Sequence, residues 1–270
     1  MRHVLLTILV VMSAGLSSGC SRVAVSNRRQ LNLIPDSLIL SLSLQQYDAF
    51  LAEAKISDNA TQKALVERVG RRIQGAVEQY FADIGRAEEL TDYQWQFTLI
   101  ESPEQNAWVL PGGKVVVYTG LLPITQNEVG LATVLGHEIA HAVADHGGER
   151  MTQALLVDLG GMALDKALQQ RPDTTRELFS SAYGTTTNVA VILPFSRLQE
   201  SEADRLGLIF MAMAGYDPRS AVDFWQRMAA ASEGSQQVPV LLSTHPTNER
   251  RIRDIQKHLP EALSHYKPPS

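Results

Sequence analysis

Between residues 59 and 84 the apolar side chains Leu65, Val69, Ile73, Val77, Tyr80 and Phe81 recur every three or four places, the spacing of one buried helical face. The period then changes. Residues 93–100 alternate aromatic or aliphatic with polar side chains and 114–118 are β-branched, with the turn residues Pro111, Gly112 and Gly113 between them, which predicts a small sheet. A helical period resumes at Glu128, which stands with Thr125 in the T-x-x-E capping relation, and a helix is expected over 128–146, stopped by Gly147 and Gly148. Residues 151–193 read as two helices around Arg171, Pro172 and Asp173. Pro194 and Ser196, with Gln199 in a second capping-box position, open a helix to Gly215. Helices over 220–231 and 248–259, with a loop at 234–238, complete a pattern that is mainly α with a small β-sheet, an α+β domain.

Ahead of this domain, Met1, Arg2 and His3 make a short basic start. Residues 4–16 form an apolar run too short to span a bilayer comfortably but of signal-peptide length. The run ends in Ser17, Ser18, Gly19 and Cys20, which resembles the lipobox of bacterial lipoproteins, although Ser17 stands where that motif prefers Leu. The resemblance implies lipidation of Cys20 and a membrane anchor through the N-terminal lipid. Ser21 rather than Asp after the cysteine implies the outer membrane, on the periplasmic face. Residues 20–36 are polar and Arg-rich without a sustained period and read as a tether. The expected organisation is therefore a lipoprotein-type signal peptide over 1–19, a tether over 20–36 and one folded domain over 37–270.

Composition narrows the chemistry. The chain has 270 residues, 44% hydrophobic and 20% charged, so it can bury a sizeable core. Its net charge of −5, with Lys and Arg scattered, excludes the basic footprint of a nucleic-acid binder. One cysteine excludes an internal disulfide and any multi-Cys metal site, which leaves His and carboxylates as metal ligands.

Those residues meet in the helix from Glu128, which contains His137, Glu138, Ile139, Ala140 and His141, an H-E-x-x-H motif. Four residues advance a helix by about 400°, so both imidazoles leave one face and can share a zinc ion, with Glu138 turned toward a water beside it. The flanking Leu135, Ile139, Ala140 and Val143 are apolar, which puts the motif in or near the core. A third ligand must come from elsewhere, because no third His follows at metzincin spacing and His146 is expected on the same helix. The helix from Ser196 offers Glu200, Glu202 and Asp204. Glu200 and Glu202 point roughly 200° apart, so one faces the metal, and Asp204 shares the face of Glu200. An exposed acidic helix end favoured by the macrodipole is the simpler account of this cluster.

Four blocks in order resemble a family of zinc peptidases that includes HtpX, the zinc CAAX prenyl protease, BepA, LoiP and the mitochondrial stress protease of the Oma type. They are N-A-W-V-L-P-G-G-K-V from Asn106, G-H-E-I-A-H from Gly136, F-S-R-L-Q-E-S-E-A-D-R-L-G from Phe195 and S-T-H-P-T-N-E-R-R-I from Ser243. The phrase around Phe224, Trp225 and Gln226 is most similar to the Oma type. The resemblance implies a zincin-like gluzincin domain with one Zn2+ held by His137, His141 and Glu200. It further implies Glu138 as general base, Asp204 in support of a ligand, and His245 and Arg251 close to the metal. His245 is the candidate to stabilise the oxyanion, and Trp108, Val109 and Leu110 form an edge strand that pairs with an extended substrate. The function expected is an endopeptidase of the bacterial envelope acting on misfolded or unassembled polypeptides. A non-hydrolytic envelope chaperone or assembly factor on the same zinc fold is the rival, and a cell-wall amidase or esterase a third reading.

Overall fold

The computed structural model describes residues 20–23, 26–159, 196–232, 239–246 and 249–268, together with 173, 175, 178 and 182. The expected signal peptide, most of the helix pair over 151–193, Pro194, Phe195 and the loop over 234–238 lie outside them. Strands β1 (Cys20–Arg22) and β2 (Arg29–Leu31) lead into helices α1 (Asp36–Glu53) and α2 (Ala60–Asp83). Strands β3 (Gln96–Ile100), β4 (Ala107–Leu110) and β5 (Lys114–Tyr118) precede a short helix α3 (Leu122–Thr125) and the helices α4 (Glu128–Val143) and α5 (His146–Leu159). The described chain ends with α6 (Arg197–Met213), α7 (Ser220–Ser232), α8 (Val240–Thr244) and α9 (Glu249–His265).

The sheet order is β3-β5-β4, with β3 parallel and β4 antiparallel to β5. Alternation sends its side chains into two cores. Leu99, Ala107, Val109, Val115 and Val117 join residues of α2, α4, α6 and α7. Ile100, Trp108, Leu110, Val116 and Tyr118 meet Ile39, Leu42 and Tyr47 of α1 and Met151 and Leu155 of α5. Both faces of the sheet are covered, which is why β5 is buried along its whole length. Helices α4 and α6 pack against each other at the centre of the first core.

Two sequence expectations change at the ends of α4. Its cap is Asn127, whose side chain accepts from the Gly130 amide, while Thr125 closes α3 by donating to the Leu122 carbonyl. The helix also stops at Val143 rather than 146. Asp145 takes a left-handed backbone (φ 52°), and its carboxylate accepts from the Gly148 amide at the start of the next helix. Gly147 and Gly148 thus lie inside α5, and His146 is on a different helix from His141. The capping box at Ser196 and Gln199 forms as expected, and the final helix runs on through Pro260 to His265.

The segment read as a tether is built into the molecule. Cys20 pairs with Leu31 in an antiparallel ribbon, Val23 and Ile34 are buried, and Arg28 is ion-paired to both Glu149 and Glu202. Side chains of alternating use, Gln30 inward and Arg29 and Leu31 outward, account for a ribbon in a stretch too short to show a period. Among the described residues no helix is long and apolar enough to cross a membrane.

Candidate metal centre

α4 is buried on nearly every side, so His137, Glu138 and His141 lie within the core. α6 crosses it with Glu200 in its first turn, where the N-terminal end of the helix favours a carboxylate. His245 follows α8 and Arg251 sits in the first turns of α9. One donor atom from each of His137, His141, Glu200 and His245 lies within 4.8 Å of the others, and all four residues are buried. His141 Nε2 is 3.1 Å from His137 Nε2 and 3.3 Å from Glu200 Oε1. His245 Nδ1 is 3.1 Å from His137 Nε2 and 2.7 Å from Glu200 Oε1.

These donors fit a metal. Asp204 Oδ1, 3.0 Å from His137 Nδ1, holds the proton there, so His137 Nε2 turns its lone pair into the cluster. Imidazole nitrogens and a carboxylate oxygen that converge at 3.1–3.3 Å present the donor set a cation takes. The site also contains Glu138 Oε1, enclosed and 3.3 Å from His245 Nε2 without a well-aligned donor. Two imidazoles and a carboxylate, with no thiolate, suit zinc.

Arg251 ties the supporting shell together. It forks onto Asp204 at 2.8 and 2.9 Å, approaches Glu200 Oε2 at 2.9 Å and donates to the His245 carbonyl. Its guanidinium lies 3.7 Å from the centre of the Trp225 ring. Burial alone would raise the Glu200 and Asp204 pKa values, yet Arg251 and the neighbouring imidazoles hold both below the usual carboxylate range. For Glu138 burial wins and its carboxyl is raised, despite His245 and His137. Burial lowers the His141 pKa well below its ordinary value, whereas at His245 the carboxylates of Glu138 and Glu200 outweigh burial and raise it.

The structure therefore brings together His137, Glu138, His141, Glu200, Asp204, His245 and Arg251. Glu202 turns to the other side, toward His146 and Arg28. Trp108, Val109 and Leu110 do form an edge strand, but their side chains are core: the Trp108 indole donates to the Tyr118 hydroxyl and stacks edge-on against Phe50. Cys20 is in β1. Sequence reasoning set His146 aside as a residue of the same helix as His141, and missed Arg28. The turn-forming Asp145 was a signal for the first, and no local pattern marks the second.

Fold and site define a class, and the model of peptidase family M48 matches residues 68–259; the chain belongs to that family and carries its metallopeptidase domain. Among particular relatives, it is 41% identical over 177 residues to the mitochondrial metalloendopeptidase OMA1 of Schizosaccharomyces pombe, covering 64% of this chain and 49% of that one. It is 29% identical over 266 residues to the same-named protein of Saccharomyces cerevisiae, covering 93% and 74%. To the beta-barrel assembly-enhancing protease of Escherichia coli it is 29% identical over 164 residues, covering 59% and 33%. The chain spans about half the length of the first of these relatives and about a third of the last.

Proposed function

We propose that this chain is a zinc-dependent endopeptidase of the bacterial cell envelope, acting in quality control on misfolded or unassembled polypeptides and held at the outer membrane by a lipid on Cys20. The observation that carries the reading is the convergence of His137, His141 and Glu200 beside an enclosed Glu138. Zinc held by these three residues would supply Lewis acidity, polarising a scissile carbonyl and acidifying water.

The chain's own groups do the rest. Glu138, its carboxyl raised by burial, takes a proton from water and returns it to the leaving amine. Asp204 and Arg251 fix the orientation of His137 and Glu200. His245 offers Nδ1 to the donor cluster and turns Nε2 to Glu138, beside which Nε2 would donate to the oxyanion. The hydrogen bond from the Tyr118 amide to the Asn106 carbonyl sets the β4–β5 register and turns the backbone groups of Ala107 and Val109 to the edge away from β5. Ala107 N–H is taken by its neighbour Asn106, which leaves Val109 to pair with an extended peptide. Such a contact reads backbone rather than side chains.

The envelope location rests on the signal-like start, the lipobox-like ending at Cys20 and the kinship to a protein named for β-barrel assembly. A lipid on Cys20 would leave no slack before the ribbon that docks on the domain. Casein digestion by the purified full chain, compared with Glu138→Gln and with chelator-treated protein, tests the activity. Cleavage lost in both supports the peptidase, while near wild-type turnover by Glu138→Gln refutes the assigned base. Suppression of aggregation without cleavage would favour the chaperone. For the anchor, Cys20→Ser should abolish acylation and move the protein to the soluble envelope fraction.

A further inference from the structure

Behind His141, on the side away from the cluster, a second buried polar chain runs to the N-terminal ribbon. His141 Nδ1 is 2.9 Å from His146 Nδ1, and His146 Nε2 is 3.3 Å from Glu202 Oε2. Glu202 Oε2 accepts from Arg28 Nε at 2.6 Å, and Ser26 donates to the other oxygen. The two terminal nitrogens of Arg28 fork onto Glu149 at 2.7 and 2.8 Å, and Glu149 also accepts from Gln199 at 2.8 Å. His146 is fully enclosed, and Glu149 and Glu202 are buried.

Hydrogen bonds in such a chain have a direction, and here one end can only donate. A guanidinium carries no acceptor, so Arg28 holds both carboxylates as acceptors. Glu202 Oε2, 3.3 Å away, is the acceptor that His146 Nε2 faces, which places the His146 proton on Nε2 and a lone pair on Nδ1. Only the tautomer of His141 with its proton on Nδ1 matches that lone pair. His141 Nε2 is thereby left bare and aimed at Glu200 and His137, which is the form a metal ligand requires. Arg28 lies forty residues before the stretch that matches the family model, which begins at residue 68.

We infer that Arg28 is a positioning residue for the metal centre, acting through Glu202 and His146 to set the orientation and tautomer of His141. The ribbon is then a structural part of the site, and the inference rests on the reading of His141 as a ligand. It goes beyond that reading by assigning a role to a segment outside the matched domain.

The test measures zinc affinity of the purified full chain by competition with a chelating dye, and the visible spectrum of the cobalt-substituted protein. Arg28→Met should weaken zinc binding by about 10- to 100-fold and alter the cobalt bands. Arg28→Lys, which keeps one donor, should recover part of the loss, and the exposed neighbour Arg29→Met should match wild type. Because Arg28→Met strands the buried carboxylates of Glu149 and Glu202, Arg28→Met/Glu202→Met is made beside it; it removes one of the two and leaves Glu149 its hydrogen bond from Gln199. That double variant should fold, by circular dichroism and melting, and still bind zinc weakly. Either variant, folded and within twofold of wild-type affinity, overturns the inference. Wild type that binds no zinc, or a Glu200→Gln control that binds it unchanged, overturns the reading of the site instead.

Discussion

Gly136 of α4 and Gly207 of α6 meet backbone to backbone: a Cβ on Gly207 would stand 2.9 Å from Gly136 C and from His137 N, and one on Gly136 would stand 2.9 Å from the Gly207 carbonyl. Neither neighbour is a flexible side-chain end that could step aside. The contact lets the two helices approach closely enough for Glu200 to reach the imidazoles of His137 and His141.

Gly207→Ala should therefore destabilise the protein by about 1–3 kcal/mol, as overpacking does. The sign is diagnostic, since the same change in an exposed helix would stabilise by roughly 1 kcal/mol. Urea unfolding of the two proteins reads it. A more stable variant would mean that the helices do not meet as described.

Glu200→Gln should strongly reduce zinc content, because the amide is a poor replacement for a ligating carboxylate. Glu202→Gln should leave content near one ion per chain at saturating zinc, since Glu202 faces His146 and not the cluster. Metal analysis of the purified variants in the opposite order would exchange their roles.

In His245→Ala three donors remain, so zinc content should stay near that of wild type while the peptidase rate falls about 100-fold, as for loss of an oxyanion contact. Equal loss of metal and rate would make His245 a permanent ligand. A faster enzyme would make it only an obstruction of the site.

At alkaline pH the buried Tyr216 becomes a weakness. Burial pushes its phenol up to about 12, against the pull of Arg72, and its hydroxyl donates to Glu128. The unfolded phenol ionises near 10, so the stabilisation is complete below pH 10 and is lost as pH rises toward 12. Tyr216→Phe should be less stable than wild type by about 1 kcal/mol at pH 8 from the lost hydrogen bond. Between pH 8 and 11 wild type should lose ~1 kcal/mol that the variant keeps, so the gap closes. Denaturant titrations at the two pH values check this, and a gap that stays constant would refute the ionisation.

Much of the frame is local and was legible in order along the chain. The apolar period over 59–84 forms α2, the β-branched run at Lys114 forms β5, and the Ser196–Gln199 box caps α6, because each depends on neighbours within a few residues. The H-E-x-x-H spacing likewise determines that His137 and His141 share a face, since helix geometry alone sets it. The end of α4 was misread because two glycines look like a stop, whereas the left-handed turn is made by Asp145, whose side chain then caps α5.

Which carboxylate completes the site was a different kind of question. Glu200 and Glu202 sit on opposite faces of one helix, and only the packing of α6 on α4 at Gly207 decides that Glu200 turns toward the imidazoles. Arg28 joins Glu202 across 174 residues of sequence, and His245 joins His137 across 108. Nothing in a residue's own neighbourhood encodes such a partner. Burial makes each of these charged and polar groups costly until it meets its complement, so the choice falls to the folded core, where desolvation and hydrogen-bond direction act together.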